Sequence, residues 1–149
     1  MAASDKPAID LKDRGVYASW TRITLRFSDL DPNGHANNGA INAYFEDGRV
    51  GFRYEFMGDS GIDLIQGYAV VGFNAAYLDH VRYPGEVEVG TVVTRIGNAS
   101  FGLGQGVFQG DLCAATAEVA QVYFDPSTGR SRPLPDPLRA ALTAGMKAG

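Results

Sequence analysis

The sequence is poor in the residues that hold small secreted domains together and in those that bind metal ions. It contains one cysteine, Cys113, so no disulfide can form within the chain. This cysteine lies in an apolar, strand-like run, and we therefore expect a cytoplasmic protein. Two histidines without a spaced cluster of histidine and cysteine argue against a metal site. With 149 residues, the chain is long enough to bury a core without a metal or a disulfide.

Long apolar runs and an excess of positive charge are missing as well. No stretch reaches the roughly 18 consecutive apolar residues of a membrane-spanning helix. The net charge is −4, and nucleic-acid binding needs a clustered basic face, so neither a membrane nor a nucleic acid is expected as a partner. Residues 1–15 lack the apolar core of a signal peptide, and we expect them to form a flexible polar arm. Residues 16–149 then form a single domain.

The spacing of apolar residues predicts five strands. Alternation predicts a first strand over Val16–Phe27, with Ile23, Leu25 and Phe27 on one side. In the second half of the chain a period of two, interrupted by turn sequences, predicts four more strands. These are expected at about Tyr68–Val81, Glu86–Ile96, Ser100–Gln109 and Leu112–Phe124.

Between the first two strands, the segment from about Gly39 to Met57 predicts a long amphipathic helix. At ~100° per residue, its apolar face carries Ile41, Tyr44, Phe45, Gly48, Phe52 and Phe56. Its polar face carries Asn42, Glu46, Arg49 and Arg53. Glycine costs a helix about 0.5–1 kcal/mol relative to alanine, so Gly48 in the apolar face indicates a close approach to a sheet.

The turns between the later strands favour antiparallel pairing. Gly97-Asn98 and Gly110-Asp111 suit tight hairpins. A short C-terminal helix is expected, with Asp136 as N-cap and Pro137 as its first residue. The elements together predict an α+β protein in which one long helix packs on a five-stranded antiparallel sheet, a hotdog-like architecture.

Alternating glycines in "FGLGQGVFQG" fall on one face of a predicted strand, at positions 102, 104 and 106. They do not follow the strand-to-helix arrangement of a dinucleotide-binding loop, so phosphate binding is not expected here. A face without side chains can approach a second sheet, a helix or an acyl chain closely. A contact in a dimer is also an attractive interpretation, because bare sheet faces need covering.

The loop before the long helix combines turn formers with ionisable side chains. Asn37 and Asn38 are candidates for the N-cap of the helix, whose first amides have no partner within the helix. Such amides can hold a developing oxyanion, and a nearby carboxylate can act as base or nucleophile. Taken singly, an aspartate here is more often a cap and His35 a turn residue. With one carboxylate and no second acid, the loop suits a thioester better than an amide, because a thiolate leaves without being protonated.

The stretch "RFSDLDPNGHANNGAINAYFEDGR" resembles the signature of acyl-CoA thioesterases of the 4-hydroxybenzoyl-CoA thioesterase type. The matching residues are Phe27, Asp29, Asp31, Gly34, His35, Asn37, Asn38, Tyr44, Phe45, Glu46 and Arg49. The similarity continues in "YPGEVEVGTVVTRIGNASF" and in the closing proline-rich segment, and covers roughly Thr21 to Leu142. Many relatives carry an aromatic residue where this chain has Ile41, which leaves the identity of the substrate open.

The resemblance implies a hotdog fold that works as a homodimer or a dimer of dimers, with active sites between subunits. It implies hydrolysis of an acyl-CoA to a free acid and coenzyme A, which is part of the substrate, so no cofactor is expected. It assigns the chemistry to Asp31 and the carbonyl-binding backbone amide to the neighbourhood of Asn38. In the hydrolase hypothesis, His35 and Asn38 position the loop or the water. The residues expected to bind substrate are Asn37, Ile41, Tyr44, Phe45 and, at the phosphates, Arg82 and Arg95.

Two other functions stay open on the same fold. A hydratase or dehydratase would use His35 together with a carboxylate, and comparing an enoyl-CoA with a saturated acyl-CoA would distinguish it. A non-catalytic protein that binds acyl-CoA or an acyl carrier would bind without releasing a thiol. An intact Asp31 beside a helix start favours the hydrolase, because a protein that only binds has no need of a base. The acyl group and the number of subunits are not determined by the sequence.

Overall fold

The computed structural model of the protein describes residues 9–146. Within these residues the elements are, in chain order, β1 (Ser19–Thr24), α1 (Asn38–Met57), β2 (Tyr68–Tyr77), β3 (Glu86–Ile96), β4 (Ser100–Gln109), β5 (Leu112–Tyr123) and α2 (Asp136–Ala144). The strands form one antiparallel sheet in the order β1-β3-β4-β5-β2, and α1 packs against one face of it. This confirms the predicted α+β architecture. Neither helix in this range has the length and hydropathy of a transmembrane segment.

The long helix begins and packs as its sequence predicts. The side chain of Asn37 caps it, since its Oδ1 accepts a hydrogen bond of 2.7 Å from the Ala40 amide. A Cβ placed on Gly48 would lie 2.5 Å from a methyl group of Val89 and 3.0 Å from Nε2 of Gln105. Because no larger residue fits there, Gly48 allows α1 to approach β3 and β4 closely, as predicted.

The prediction that Arg49 and Arg53 lie on a polar helix face was wrong, because both side chains are buried, with exposures of 6% and 7%. Arg49 donates a hydrogen bond of 3.1 Å from Nη1 to Oε1 of Gln105. Arg53 donates from Nε to the Leu64 carbonyl and lies 4.1 Å above the Tyr68 ring. The segment before β2 and β2 itself therefore cover this side of α1. Burial lowers the pKa of both guanidinium groups.

The second face of the sheet is covered in part by the N-terminal segment, residues 9–17. Tyr17 is buried, and its ring lies over Gly90 and Gly106, which are paired across β3 and β4. A Cβ on either glycine would overlap this ring. The Tyr17 hydroxyl donates a hydrogen bond to the Leu11 carbonyl, so the segment folds back on itself above the sheet. The sheet face at Gly90 and Gly106, which we call the glycine-bare face because these residues have no side chains, is therefore covered by residues of the same chain.

Further contacts hold the same segment in place. The Leu11 side chain lies against Gly104, where a Cβ would come within 2.6 Å of it. Arg14 donates a hydrogen bond of 2.9 Å to Oε1 of Glu88 on β3. Part of the arm expected over residues 1–15 thus packs on the domain. Residues 1–8, where the arm begins, lie outside the described residues.

Strand and helix ends differ from the prediction mainly at β1, at the end of β2 and at the start of α2, while β5 ends one residue early, at Tyr123. β1 begins at Ser19 instead of Val16, which lies in a short 3-10 turn. β1 stops at Thr24, and Phe27 is 70% exposed instead of sharing the inner side with Leu25. The chain leaves the strand because the Arg26 amide donates to the side chain of Asp29, which closes a single 3-10 turn over residues 27–29.

The other two differences lie at the end of β2 and the start of α2. β2 ends at Tyr77, because the next two amides both donate to the carbonyl of Ala114. The prediction of Asp136 as the N-cap of α2 was wrong by one residue. Pro135 occupies the cap, Asp136 begins the helix, and Pro137 takes the second position, where a missing N–H is tolerated.

Candidate active site

The loop between β1 and α1 is a tight turn held by its own backbone. The Asp31 amide donates to the His35 carbonyl at 2.9 Å, and the Gly34 amide donates to the Asp31 carbonyl at 2.9 Å. Gly34 has a φ of +82°, which glycine adopts without strain. The Asn37 amide donates to the Asp29 carbonyl at 3.0 Å and ties the end of the turn to its beginning. The loop therefore presents its side chains from a defined frame.

The first carboxylate of the loop, Asp29, is fully engaged in the structure. Its side chain is 3% exposed, and it accepts hydrogen bonds from the Arg26 amide (3.0 Å), the Arg26 guanidinium (2.9 and 3.2 Å) and the Tyr44 hydroxyl (2.7 Å). Burial alone raises the pKa of Asp29, but the hydrogen bonds from the Arg26 amide, from Tyr44 and from the guanidinium outweigh it, so its pKa lies below the ordinary value. Asp29 therefore stabilises the loop and has no lone pair left for catalysis.

The second carboxylate, Asp31, is in a different position. It is half-buried, and its Oδ1 accepts one hydrogen bond of 2.9 Å, from the Asn33 amide. Within residues 9–146 no other hydrogen bond to this carboxylate is found. One carboxylate oxygen can thus accept a proton from a water molecule, which Asp29 cannot do.

The start of α1 lies beside a cavity of about 270 Å³. Its lining residues are Ala36, Asn38, Ile41, Tyr77, Leu78, Asp79, His80 and Ala114. In the described part of the chain, no acceptor is found for the backbone amides of Asn38 and Gly39, which lie in the first turn of α1, and the Asn37 side chain accepts only from Ala40. Two free amides at a helix start carry a partial positive charge that favours an oxyanion.

The two histidines of the chain are brought together at this place. The rings of His35 and His80 are stacked with centroids 4.0 Å apart and an angle of 14° between their planes. His35 is half-buried in the loop, and His80 lines the cavity. Within the described residues, no group of three His, Cys, Asp or Glu side chains is placed to hold a metal ion.

The residues expected to bind substrate lie in different places. Asn37 caps α1 through its side chain and does not line the cavity. Ile41 lines the cavity. Tyr44 is bound to Asp29, and Phe45 is fully buried in the core against Phe73 on β2, so neither lines the cavity.

The two expected phosphate contacts lie far apart within the protomer. Arg82 is exposed, and its backbone pairs with that of His35 beside the loop. Arg95 is exposed and donates to Ser100 at the opposite end of the sheet.

Six lining residues were not among the expected site residues, namely Ala36, Tyr77, Leu78, Asp79, His80 and Ala114. Tyr77 and His80 come from the end of β2 and the segment that follows, and Ala114 comes from β5. Their only sequence signal is the Asp79-His80 pair, whose two ionisable side chains suggest a metal ligand and nothing else. The period-two pattern runs through Val81 without a break, so it does not show that the chain leaves the sheet before His80.

Comparison with known proteins places this geometry in context. Residues 25–142 match the thioesterase-like superfamily. A protein of Pseudomonas aeruginosa shares 28% identity with a TM-score of 0.81, over 91% of this chain and 96% of its own. A predicted thioesterase of Bacillus stearothermophilus shares 30% identity with a TM-score of 0.78, over 88% and 98%. A thioesterase of Thermus thermophilus, complexed with coenzyme A and zinc, shares 27% identity with a TM-score of 0.76, over 87% and 95%. No curated protein matches the sequence.

Proposed function

The chain belongs to the thioesterase-like superfamily, and from this premise we propose that it hydrolyses an acyl-CoA thioester to a free acid and coenzyme A. The observation that carries the proposal is the contrast between the two loop carboxylates. Asp29 is saturated with hydrogen bonds, whereas Asp31 keeps an oxygen available in the loop that leads into α1. Asp31 does not itself line the cavity at the start of α1, where the unpaired amides lie. The coenzyme A held by the Thermus thermophilus relative supports this class of substrate.

In the proposed reaction Asp31 takes a proton from a water molecule as the water oxygen attacks the thioester carbonyl carbon. The carbonyl oxygen gains negative charge and is held by the amides at the start of α1, next to Asn38. The tetrahedral intermediate then collapses, the C–S bond breaks, and coenzyme A leaves as a thiolate that needs no acid. His35 holds the loop in place. Direct attack by Asp31, with a mixed anhydride as intermediate, uses the same geometry.

A second copy of the chain is part of this proposal. β2 is an edge strand, and three of its large apolar residues are exposed, namely Val70 (44%), Val71 (64%) and Phe73 (38%). An edge strand of this kind is a template for pairing with another strand. The end of β2 lines the cavity, so a partner subunit that pairs along this edge would form one side of the cavity. We propose a homodimer, with a dimer of dimers as the larger form.

Coenzyme A carries phosphates, and exposed arginines are suited to bind them. Arg82 lies beside the loop of the same protomer. Arg95 lies at the other end of the sheet, so it could reach the substrate only from a partner. Antiparallel pairing of two β2 strands brings opposite ends of the two sheets together, which supports such a role.

The test is a thiol-release assay with aromatic, short and long acyl-CoAs, on the wild type, Asp31→Asn and Asp31→Ala. Both variants are expected to lose kcat by about 10²- to 10⁴-fold, the range for the loss of a general base. Asp111→Asn, an exposed aspartate in the turn between β4 and β5, is the control and keeps its activity. Near-normal hydrolysis by folded Asp31→Ala would reject the proposed role.

The same assay distinguishes the other functions of this fold. Turnover of an enoyl-CoA without thiol release indicates a hydratase or dehydratase. Binding of acyl-CoA without turnover of any substrate indicates a protein that only binds.

A further inference from the structure

The segment between β2 and β3, residues 78–85, provides a rigid support beside the loop. Val81 is buried with 1% exposure and anchors the segment in the core. The backbone of Arg82 is clamped by the Gln109 side chain of β4, which donates from Nε2 to the Arg82 carbonyl at 2.9 Å and accepts from the Arg82 amide at 3.0 Å. His80 precedes these two residues, so the position of its backbone is fixed on the sheet side.

The loop between β1 and α1 contacts residues 78–85 through backbone hydrogen bonds. The Ala36 amide donates to the Val81 carbonyl at 3.1 Å, and His35 pairs with Arg82 in an antiparallel bridge. These contacts hold one end of the turn. The end that carries Asp31 is held to residues 35–37: the Asp31 amide donates to the His35 carbonyl, the Asn37 amide donates to the Asp29 carbonyl, and Leu30 pairs with Ala36 in an antiparallel bridge.

We propose that His80 is a positioning residue for Asp31, acting through its ring stack on His35. The two rings are nearly parallel at 4.0 Å, a separation at which flat rings are in van der Waals contact. The stack restrains His35 from rotating away from the support. Because the His35 carbonyl holds the Asp31 amide, a fixed His35 keeps the turn, and with it the Asp31 carboxylate, at one distance from the start of α1. The kinetic part of this inference rests on the proposed function.

The geometry gives His80 a second contact with the site, because it lines the cavity together with Asn38 and Ile41. The same imidazole therefore touches the loop on one side and the space for the acyl group on the other. Its backbone amide donates to Oδ1 of Asp79 at 2.8 Å, which limits the freedom of the residue further.

Two variants of His80 distinguish the effect of ring stacking from the effect of the imidazole nitrogen atoms. His80→Ala removes the ring, and His80→Phe keeps a flat ring without nitrogen atoms. Tyr83→Ala is the matched control, since it removes an exposed ring of the same segment that contacts Phe27 edge-on at 6.0 Å and does not line the cavity. All variants are made without a histidine tag, because the chain has two histidines and each then gives an assignable NMR signal.

The first readout does not depend on activity. In the wild type, the ring protons of His35 should show a ring-current shift, and amide exchange at Asp31 should be slow. His80→Ala is expected to abolish the shift and speed the exchange, whereas His80→Phe and Tyr83→Ala keep both. The proposed stack would be contradicted if the His35 ring protons show no ring-current shift in the wild type. It would also be contradicted if His80→Ala leaves the exchange rate of the Asp31 amide unchanged.

The second readout is steady-state hydrolysis. His80→Ala is expected to lose kcat by roughly 10-fold or more, as for a misplaced reacting group, with a smaller change in KM from the loss of part of the cavity wall. His80→Phe is expected to retain most of the activity. Equal kcat values for His80→Ala and wild type would overturn the positioning role. A wild type that releases no thiol from any acyl-CoA contradicts the proposed function, while NMR and exchange still decide the placement.

Discussion

The Tyr44 hydroxyl donates a hydrogen bond of 2.7 Å to Oδ2 of Asp29, and both side chains are buried. This bond joins the second turn of α1 to the loop that precedes the helix. Because Arg26 supplies the remaining donors, the Asp29 carboxylate is held as an anion inside the protein. Burial, followed by this hydrogen bond, raises the pKa of Tyr44, which keeps the hydroxyl a donor. The pair fixes the frame from which Asp31 projects.

Asp29→Asn should therefore lower stability in a pH-dependent way. The pKa of Asp29 lies below its ordinary value of about 3.9 in unfolded chains, so its charged form stabilises the fold above that value. This contribution is lost as the pH falls through the folded-state pKa. We expect the substitution to cost about 1–3 kcal/mol at pH 7, and the difference from wild type to shrink below about pH 4. Urea unfolding at both pH values measures it, and a constant difference would contradict the assignment.

Gly90→Ala should destabilise the protein, because a Cβ there overlaps the ring of Tyr17. Overpacking of this kind typically costs about 1–3 kcal/mol. Gly72→Ala is the control, since a Cβ at Gly72 would lie 3.5 Å from the Ala120 methyl group, an ordinary contact. Thermal unfolding of the two variants should show a lower Tm for Gly90→Ala alone. Equal Tm values would mean that Tyr17 does not rest on the sheet in solution.

Val71→Lys should weaken the proposed dimer. Val71 is 64% exposed on edge strand β2, and a lysine on an edge strand opposes pairing with a second strand. Light scattering should show a smaller mass for the variant than for wild type, with lower thioesterase activity. Leu112→Lys, at an exposed position in the β4–β5 hairpin, should leave the mass unchanged. A dimer that persists in Val71→Lys with full activity would place the partner elsewhere.

Short or single-ring acyl-CoAs should be better substrates than long-chain ones. The cavity beside α1 has a volume of about 270 Å³, just under the ~300–1,000 Å³ of pockets that enclose drug-sized ligands. We expect kcat/KM to be roughly 10-fold or more higher for hexanoyl- or benzoyl-CoA than for palmitoyl-CoA. Ile41→Ala enlarges the cavity by removing part of its wall, and should therefore lower the ratio of kcat/KM for the short substrates to kcat/KM for palmitoyl-CoA. Preference for palmitoyl-CoA in the wild type would contradict the assignment of the cavity.

Local signals predicted most of the fold. The bounds of β3 and β4 follow from turn residues such as Gly97 and Gly110, which stop each strand regardless of distant contacts. Asn37 is identifiable as a cap because its side chain bonds to an amide three residues away. Gly48 indicated a close approach because glycine lowers the stability of a helix, and close packing of its apolar face can offset that cost. For the turns and the cap the physical cause lies within a few residues of the signal, whereas Gly48 packs against Val89 and Gln105, which are distant in the chain.

The features that the sequence did not show depend on partners far along the chain. Arg49 and Arg53 are buried because Gln105 and the Leu64 carbonyl accept their hydrogen bonds, and a charge pattern assigns such residues to solvent. The stack of His80 on His35 joins two loops that are distant in the chain, and Gln109, on a third element, binds the backbone of the neighbouring Arg82. The distinction between Asp29 and Asp31 came from family resemblance, and its structural basis is the set of donors around Asp29.

The covering of the glycine-bare face by residues 9–17 has a consequence for how this chain tolerates change. Tyr17 and Leu11 fit into recesses that exist only while Gly90, Gly104 and Gly106 lack side chains. A single substitution at one of these glycines or in residues 9–17 is therefore expected to destabilise the fold, whereas a compensating substitution in the other partner should restore stability. Proteolytic removal of the residues before Ser19 would expose an apolar groove along the sheet. A recombinant protein that lacks this segment should therefore tend to aggregate.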